Sequence, residues 1–114
     1  MGLPKDHPQA AFFKTELGAV YGRHYGNKRA RGIKLLREAI AEAESKKDAV
    51  TLNTARAELA FVIGEKTRKP KEALEIASKI DWSHVPPDVT TYVKKKLRQF
   101  KQRIKATNKN PAAK

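Results

Sequence analysis

Residues 87–105 read PDVTTYVKKKLRQFKQRIK, and the spacing of their apolar side chains decides the fold class. That spacing puts the apolar side chains on one face of an α helix, whereas a half-buried strand would alternate. A long amphipathic helix is therefore predicted to begin near Pro87 or Asp88, although residues 89–93 alone resemble a strand. The apolar positions recur at intervals of four, four, three and four: Val89, Val93, Leu97, Phe100 and Ile104.

Four further helices are predicted upstream of the Pro86-Pro87 pair, since two prolines cannot continue a helix. Asn27 and Asp48 are the expected N-caps of the second and third helices. Gly64 is expected to end the third helix, and Pro70 fits the first turn of the fourth. The sequence thus predicts an all-α protein, a compact bundle of about five antiparallel helices built from helical hairpins.

Each of these four helices carries an apolar face that is expected to point inward. The first should span residues 8–25, and Trp82 should cover the end of the bundle. The inward positions are Phe13, Leu17, Val20, Tyr21 and His24 in the first helix; Ile33, Leu36, Ile40 and Ala43 in the second; Leu52, Ala55, Leu59 and Val62 or Ile63 in the third; and Ala73, Leu74, Ala77 and Ile80 in the fourth.

The length of 114 residues suits a single domain, predicted over residues 8–107. We expect residues 1–7 to be a flexible N-terminus and residues 108–114 a disordered basic tail. The absence of cysteine excludes disulfides and thiolate metal sites. The longest apolar run, residues 59–63, is far shorter than the roughly 20 residues of a membrane span. The chain is predicted to be soluble and cytoplasmic, with no membrane partner.

The net charge of +13 is unevenly distributed along the chain. Residues 1–35 sum to +5, residues 36–65 to −2, residues 66–85 to +2 and residues 86–114 to +8. An asymmetry of this size indicates the type of partner rather than the fold, and polyanions such as nucleic acids are typical partners.

One cluster of cations lies where the second helix is expected to begin. Its members are Lys28, Arg29, Arg31 and Lys34, with Arg37 one turn further. The helix dipole makes this end positive, so each added cation is unfavourable by about 0.3–1 kcal/mol at low salt. Free N–H groups reinforced by Lys and Arg form an anion site. The cluster therefore predicts contact with a phosphate backbone. The alternatives are that the side chains extend into solvent or that the helix begins later.

Two tyrosines lie close to this cluster in the sequence. Tyr25, if exposed, could stack on an unpaired base, which is worth roughly 1–3 kcal/mol. Tyr21 is expected in the core instead, so Tyr25 is the only candidate for base stacking.

A second cluster lines one flank of the last predicted helix. Its members, Lys94, Arg98, Lys101 and Lys105, follow four-three-four spacing. Cations on every turn can track a phosphate backbone without reading bases. A membrane-surface helix would need aromatic residues on its apolar face, where only Phe100 occurs. The remaining alternative is a solvated basic helix.

Two families share features with this chain. Leu17-Gly18-x-x-Tyr21 and Leu59-Ala60-x-x-Ile63 each precede a connector and a second helix, about 42 residues apart. This pattern resembles a degenerate tetratricopeptide hairpin repeat, which implies a protein–protein adaptor; generic antiparallel hairpin packing explains it equally well. The segment from Arg56 to Gly64, a basic turn and residues 70–80 looks like the small helical subunits of CRISPR effector complexes. That resemblance implies backbone binding without catalysis.

The sequence offers little for catalysis. His7, His24 and His84 are scattered, and no phosphate-binding glycine loop is present. Asp81, His84 and Asp88 are expected to cap turns rather than to bind a metal. We therefore predict no enzyme, no cofactor and no metal site. The predicted function is a basic helical subunit of a nucleoprotein assembly that binds RNA or DNA beside other protein subunits. The alternative is a tetratricopeptide-like adaptor for an acidic partner.

Overall fold

The computed structural model describes residues 9–109, and every regular element in that range is helical. Helices that follow one another in the chain pack as antiparallel neighbours, so the prediction of an all-α bundle is confirmed. The predicted flexible segment, residues 1–7, lies outside the described residues, as do residues 110–114 of the predicted tail. The helices are α1 (Ala10–His24), α2 (Arg29–Lys46), α3 (Ala49–Phe61), α4 (Pro70–Ala77) and α5 (Pro87–Lys109).

Local capping chemistry sets the helix starts at two of the three predicted positions. Asp48 accepts a hydrogen bond at 3.1 Å from the backbone N–H three residues later, as an N-cap does. Pro70 is the first residue of α4. The prediction that Asn27 caps α2 is wrong. A 3-10 turn, Gly26–Lys28, occupies that connector, so α2 begins one residue beyond it without a side-chain cap.

The α1–α2 hairpin is packed closely enough that the two backbones touch. A Cβ atom on Gly32 of α2 would lie 2.6 Å from the backbone N of Gly22 and 2.7 Å from the carbonyl O of Gly18. Only glycine permits such an approach, because any side chain at this crossing would separate the helices. The hairpin is therefore held by backbone proximity rather than by a stripe of large side chains.

This close approach overturns part of the inward face predicted for α1. Phe13, Val20 and His24 are exposed, whereas Leu17 and Tyr21 are half-buried. The helix turns its smallest side chains inward because bulky ones would hold α1 away from α2. The positions that are actually buried are Ala10, Ala11, Thr15, Gly18, Ala19 and Gly22.

Helix α3 runs through the middle of the protein and packs against α1, α2, α4 and α5. The predicted core positions Ala55, Leu59, Val62 and Ile63 are buried, but Leu52 is only half-buried. Contact on nearly every side also buries residues that no apolar stripe would select, including Asn53 and Glu58. A helix enclosed in this way has no single inward face.

The end of α3 differs from the prediction that the helix stops at Gly64. The chain continues as a π-helical turn, Val62–Lys66, in which the N–H of Thr67 donates to the carbonyl O of Val62 at 3.2 Å. This wide turn sets Gly64 directly against the ring of Phe100, with no room for a Cβ atom between them. The π turn thereby lets α5 pack on the end of α3.

The apolar stripe predicted for α5 is confirmed. Val93, Leu97 and Phe100 are buried, and Val89 and Ile104 are half-buried at either end of the stripe. Phe100 is completely inaccessible to solvent and is the largest fully buried side chain of the described residues. Between residues 9 and 109, no helix has an apolar stretch long enough to cross a bilayer.

The connector between α4 and α5 contains a second 3-10 turn, Trp82–His84. Helix α4 ends at Ala77, so Ile80 reaches the core from the connector rather than from the helix. Trp82 packs partly buried against the core, as expected of a residue covering the end of the bundle. The buried Asn53 accepts a hydrogen bond from the N–H of Asp81 at 2.8 Å and fixes this connector to α3.

Candidate functional site

The antiparallel course of the chain brings segments that are distant in sequence to one end of the molecule. Helices α2 and α4 begin at this end, α3 finishes there, and α5 runs toward it. Arg29 at the start of α2 donates from Nε to the carbonyl O of Gly22 at 3.2 Å. A Cβ atom on Gly22 would in turn lie 2.8 Å from Val62, where the π turn begins. The start of α2 and the end of α3 are therefore neighbours.

The π turn also connects this end to the C-terminal half of α5. Glu65 lies 3.4 Å from the ammonium nitrogen of Lys96 and 3.6 Å from Arg103. Arg103 then borders a cleft of about 320 Å³ together with Lys69 and Lys71 at the start of α4. Three cation-rich segments thus meet around the turn between α3 and α4.

We call this region the basic end. Carboxylates are sparse in it, and only Arg37 and Arg103 of its members form ion pairs with carboxylates of the described residues, namely with Glu72 and Glu65. The basic end comprises Lys28, Arg29, Arg31, Lys34 and Arg37 from α2 and its connector; Lys66, Arg68, Lys69 and Lys71 from the turn before α4 and the first residues of that helix; and Arg98, Lys101, Arg103 and Lys105 from α5.

The opposite end, where α3 and α5 begin, is rich in carboxylates. Some of these carboxylates pair with nearby cations: Arg56 pairs with Glu44 at 3.2 Å, and Lys14 pairs with Glu38 and Glu42. We call this region the acidic end. Its carboxylates include Glu16, Glu42, Glu44, Asp48, Glu75, Asp81 and Asp88.

The cluster predicted at the start of α2 lies on the basic end, but its side chains have different surroundings. Arg29 is held against the α1 backbone, and Arg37 is 3.2 Å from Glu72 of α4. Lys28 lies over the rings of Tyr21 and Tyr25, with its nitrogen 5.1 and 5.9 Å from their centroids. The two most available cations, both exposed and without an ion pair to any described residue, are Arg31 and Lys34.

Tyr25 meets the condition set for base stacking, because 49% of the residue is exposed. Its ring lies edge-on to Tyr21 with 6.2 Å between the centroids. Tyr21, which was expected in the core, is only half-buried.

The cluster predicted on α5 is divided between the two ends. Lys94 lies 5.0 Å from the ring centroid of Trp82, in the turn at the acidic end. Arg98, Lys101 and Lys105 are exposed and lie further along the helix, toward the basic end. Helix α3 packs against both α2 and α5 and so lies between the two predicted clusters. Arg98, Lys101 and Lys105 therefore share the basic end with the cluster at the start of α2, but the two clusters do not form one helix–helix face.

Four cations between these clusters were missed by the sequence analysis. Residues 65–71, EKTRKPK, were interpreted only as a connector with a basic turn, although their charge run was visible. Arg68 adopts φ 57°, in the left-handed region, which costs a non-glycine residue about 1–2 kcal/mol. Glycine would avoid that cost, so an arginine at this position keeps a charge on the turn at the expense of stability. The missed residues are Lys66, Arg68, Lys69 and Lys71.

A second constellation that the sequence analysis missed lies between α1, α3 and α5. Glu58 of α3 has only 7% of its side chain exposed and pairs with Arg23 of α1. Tyr92 of α5 donates its hydroxyl hydrogen to Oε1 of Glu58 at 2.7 Å. The Arg23 guanidinium lies over the rings of Tyr92 and Phe61, at 4.5 and 5.3 Å from their centroids. We call these side chains the Arg23–Glu58 cluster. Glu58 stands among apolar residues in the sequence, so its spacing did not identify it as a buried, paired carboxylate.

Burial raises the pKa of Glu58, because removal from water disfavours the carboxylate more than the Arg23 charge favours it. The charges of Glu16 and Asp88 raise this pKa further. A carboxyl whose pKa is higher in the folded state binds more protons folded than unfolded. Its contribution to stability therefore decreases as the pH rises from near the ordinary value of 4.5 through the raised value.

The variant Glu58→Gln should remove this pH dependence. We expect the free energy of unfolding of the wild type, measured relative to Glu58→Gln by urea denaturation, to decrease as the pH rises above about 4.5. A wild-type advantage that grows with pH would mean that folding lowers the pKa of Glu58 rather than raising it.

Asp81 and His84 lie in the 3-10 turn before α5. Asp81 accepts hydrogen bonds from the backbone N–H of Ser83 at 3.1 Å and from its hydroxyl at 2.6 Å. These bonds lower the pKa of Asp81. His84 lies 3.7 Å from the same carboxylate. Within residues 9–109, no three His, Asp or Glu side chains come together in a way that could hold a metal ion.

Comparison with known proteins adds no relative. No protein-family model, no curated protein and no solved structure matches this chain.

Proposed function

We propose that this protein binds the phosphate backbone of RNA or DNA through its basic end, without catalysing a reaction, as a subunit of a larger nucleoprotein assembly. The observation that carries the proposal is the convergence of three cation-rich segments on one end of the bundle. Most of those cations have no carboxylate partner among the described residues. Unpaired cations held on a rigid scaffold favour a polyanionic partner.

The side chains of the basic end favour backbone contact over base readout. Lysine and arginine predominate, and these recognise phosphate oxygens by charge without regard to sequence. Tyr25 adds a half-exposed ring beside Lys28, which would suit an unpaired base. Single-stranded nucleic acid could use both the cations and the ring, whereas a duplex would use the cations alone.

Exposed apolar side chains support the second part of the proposal, that other subunits are present. Phe12, Phe13 and Val20 of α1 and Val50 of α3 are all more than two-fifths exposed. Large exposed apolar side chains are typical of a protein–protein contact. They belong to α1 and the start of α3, so a protein partner would leave the turn between α3 and α4 free.

Binding to generic duplex and single-stranded RNA, followed by fluorescence anisotropy across a salt series, tests the proposal. If about five phosphates of a duplex are neutralised, log K should decrease with log salt at a slope near −4.5. Backbone contacts are strong at ~50 mM salt, so an absence of affinity for RNA under that condition would contradict the proposal.

A matched pair of variants locates the contact. Arg68 and Lys47 both adopt φ 57°, but Arg68 lies in the basic end and Lys47 in the turn before α3. Each change to glycine removes one cation and relieves the same backbone strain, so both should keep or raise stability by up to about 1 kcal/mol. Only Arg68→Gly should weaken nucleic-acid binding and flatten the duplex salt slope by about 0.9. An equal loss of nucleic-acid affinity in both variants would show that binding depends on overall charge rather than on the basic end.

The adaptor for an acidic protein partner remains the second candidate, because the same cations would serve it. Nuclease treatment during a pull-down separates the two. Partners that survive the treatment favour the adaptor, and partners that are lost favour nucleic acid.

A further inference from the structure

A groove at the acidic end lies between α1 and α5, with α3 as its floor. It encloses about 300 Å³. Its inner part is closed by the Arg23–Glu58 cluster, and its outer part opens where α3 and α5 begin. The groove is lined by Phe12, Thr15 and Glu16 of α1, Val50, Thr51 and Thr54 of α3, and Pro86, Asp88 and Val89 at the start of α5, beside Arg23, Glu58 and Tyr92.

The charge of this groove is opposite to that of the protein. Three carboxylates line it, Glu16, Glu58 and Asp88, and the one cation among its lining residues is Arg23. Arg23 is already engaged by Glu58. Neither Glu16 nor Asp88 forms an ion pair with any described residue, although the described chain carries a large excess of lysine and arginine. The groove therefore has negative charge that the protein itself does not neutralise.

The mouth of the groove is apolar. Phe12 is 53% exposed and Val50 is 52% exposed, and both line the groove from facing helices. The hydroxyl oxygen of Thr54 is buried in the wall with no hydrogen-bond partner among the described residues. Apolar side chains next to uncompensated carboxylates form a surface that complements a chain carrying both cationic and apolar side chains.

We propose that this groove binds a basic segment of another protein, in which lysine or arginine side chains alternate with apolar ones. The cationic groups lie against Glu16 and Asp88, and an apolar side chain packs between Phe12 and Val50. Charge complementarity selects this occupant, since an acidic segment would meet carboxylates on two walls of the groove. This surface is separate from the basic end, so the inference does not rest on nucleic-acid binding.

Anisotropy of short fluorescein-labelled peptides with the full chain tests the inference. One peptide alternates Lys and Arg with Leu and Phe, and the second has Glu in place of each cation. We expect the cationic peptide to bind at physiological salt despite the net charge of +13, and the acidic peptide to bind the groove variants and the wild type alike. The double variant Glu16→Gln with Asp88→Asn should bind the cationic peptide about fivefold to tenfold more weakly.

The variant Glu44→Gln with Glu75→Gln is the matched control, because it removes two exposed carboxylates that lie outside the groove. It should retain the wild-type affinity for the cationic peptide, and Phe12→Ala should weaken that affinity. Failure of the cationic peptide to bind, or an equal loss in the control, overturns the inference. Binding that occurs only after removal of residues 1–8 would identify the chain's own N-terminus as the occupant. Self-association abolished by the groove variant would identify a second copy; both outcomes overturn the proposal.

Discussion

Phe100→Ala is expected to remove about 3–5 kcal/mol from the free energy of unfolding, the typical cost of deleting a fully buried phenylalanine. The ring is completely inaccessible to solvent and packs on the π turn at Gly64. Its loss would leave a cavity at the junction of α3 and α5, which cannot collapse without moving the π turn. Total stabilities are about 5–15 kcal/mol, so the melting temperature should decrease by roughly 15 °C or more. Urea and thermal denaturation measure both effects.

Phe12→Ala is the control, because that ring is half-exposed and its loss should change stability by no more than about 0.5 kcal/mol. Gly64 provides a sharper test. Gly64→Ala alone should destabilise by about 1–3 kcal/mol, since its Cβ would overlap the Phe100 ring. In the Phe100→Ala background the same methyl group fills part of the cavity. The double variant should therefore lose less than the two single losses combined, and strictly additive losses would refute this packing.

Gly32→Ala should separate α1 from α2 and destabilise the protein by about 2–3 kcal/mol, in the upper part of the range for overpacking. The added Cβ would meet backbone atoms of Gly22 and Gly18 at 2.6 and 2.7 Å, and backbone atoms cannot rotate away. The better helix propensity of alanine recovers only about 1 kcal/mol. Urea denaturation gives the loss, and circular dichroism reports whether the helices persist.

Gly26→Ala is the matched control for this variant. Gly26 stands in the 3-10 turn before α2, where a Cβ would have only one neighbour, the Arg29 guanidinium at 3.9 Å. That substitution should leave stability unchanged or raise it by up to about 1 kcal/mol, because alanine restricts the unfolded chain. A Gly32→Ala variant as stable as Gly26→Ala would mean that the two helices are not in backbone contact.

How far sequence predicts this fold depends on how each helix is packed. Helix α5 buries one face, so the spacing from Val89 to Ile104 predicted it well. Helix α1 meets its neighbour through glycines, and a pattern of apolar residues cannot identify a contact face without side chains. Helix α3 is enclosed on nearly all sides, so no periodicity in its sequence separates an inward from an outward face. The burial of Glu58 depends on Arg23 and Tyr92, which lie more than 30 residues away in the chain.

For the candidate site, the sequence identified the charged segments but not the way in which the fold brings them together. Charge runs in the sequence identified the cations near Lys28 and near Lys101. Their common location follows from the antiparallel return of the chain, which local pattern does not encode. The run around Arg68 was visible but had no assigned role, because its significance comes from lying between the other two. The acidic groove had no sequence signal, since Glu16, Glu58 and Asp88 are far apart in the chain.

The excess of unpaired cations at the basic end, opposite an end that holds most of the described carboxylates, gives the molecule an electric dipole moment. In the electric field of a polyanion, a protein with this dipole experiences a torque as well as an attraction, so it rotates before it makes contact. It would arrive with the turn between α3 and α4 leading and with Phe12 and Val50 trailing. The end that carries Phe12 and Val50 would then face the solvent, where a protein partner could bind to it.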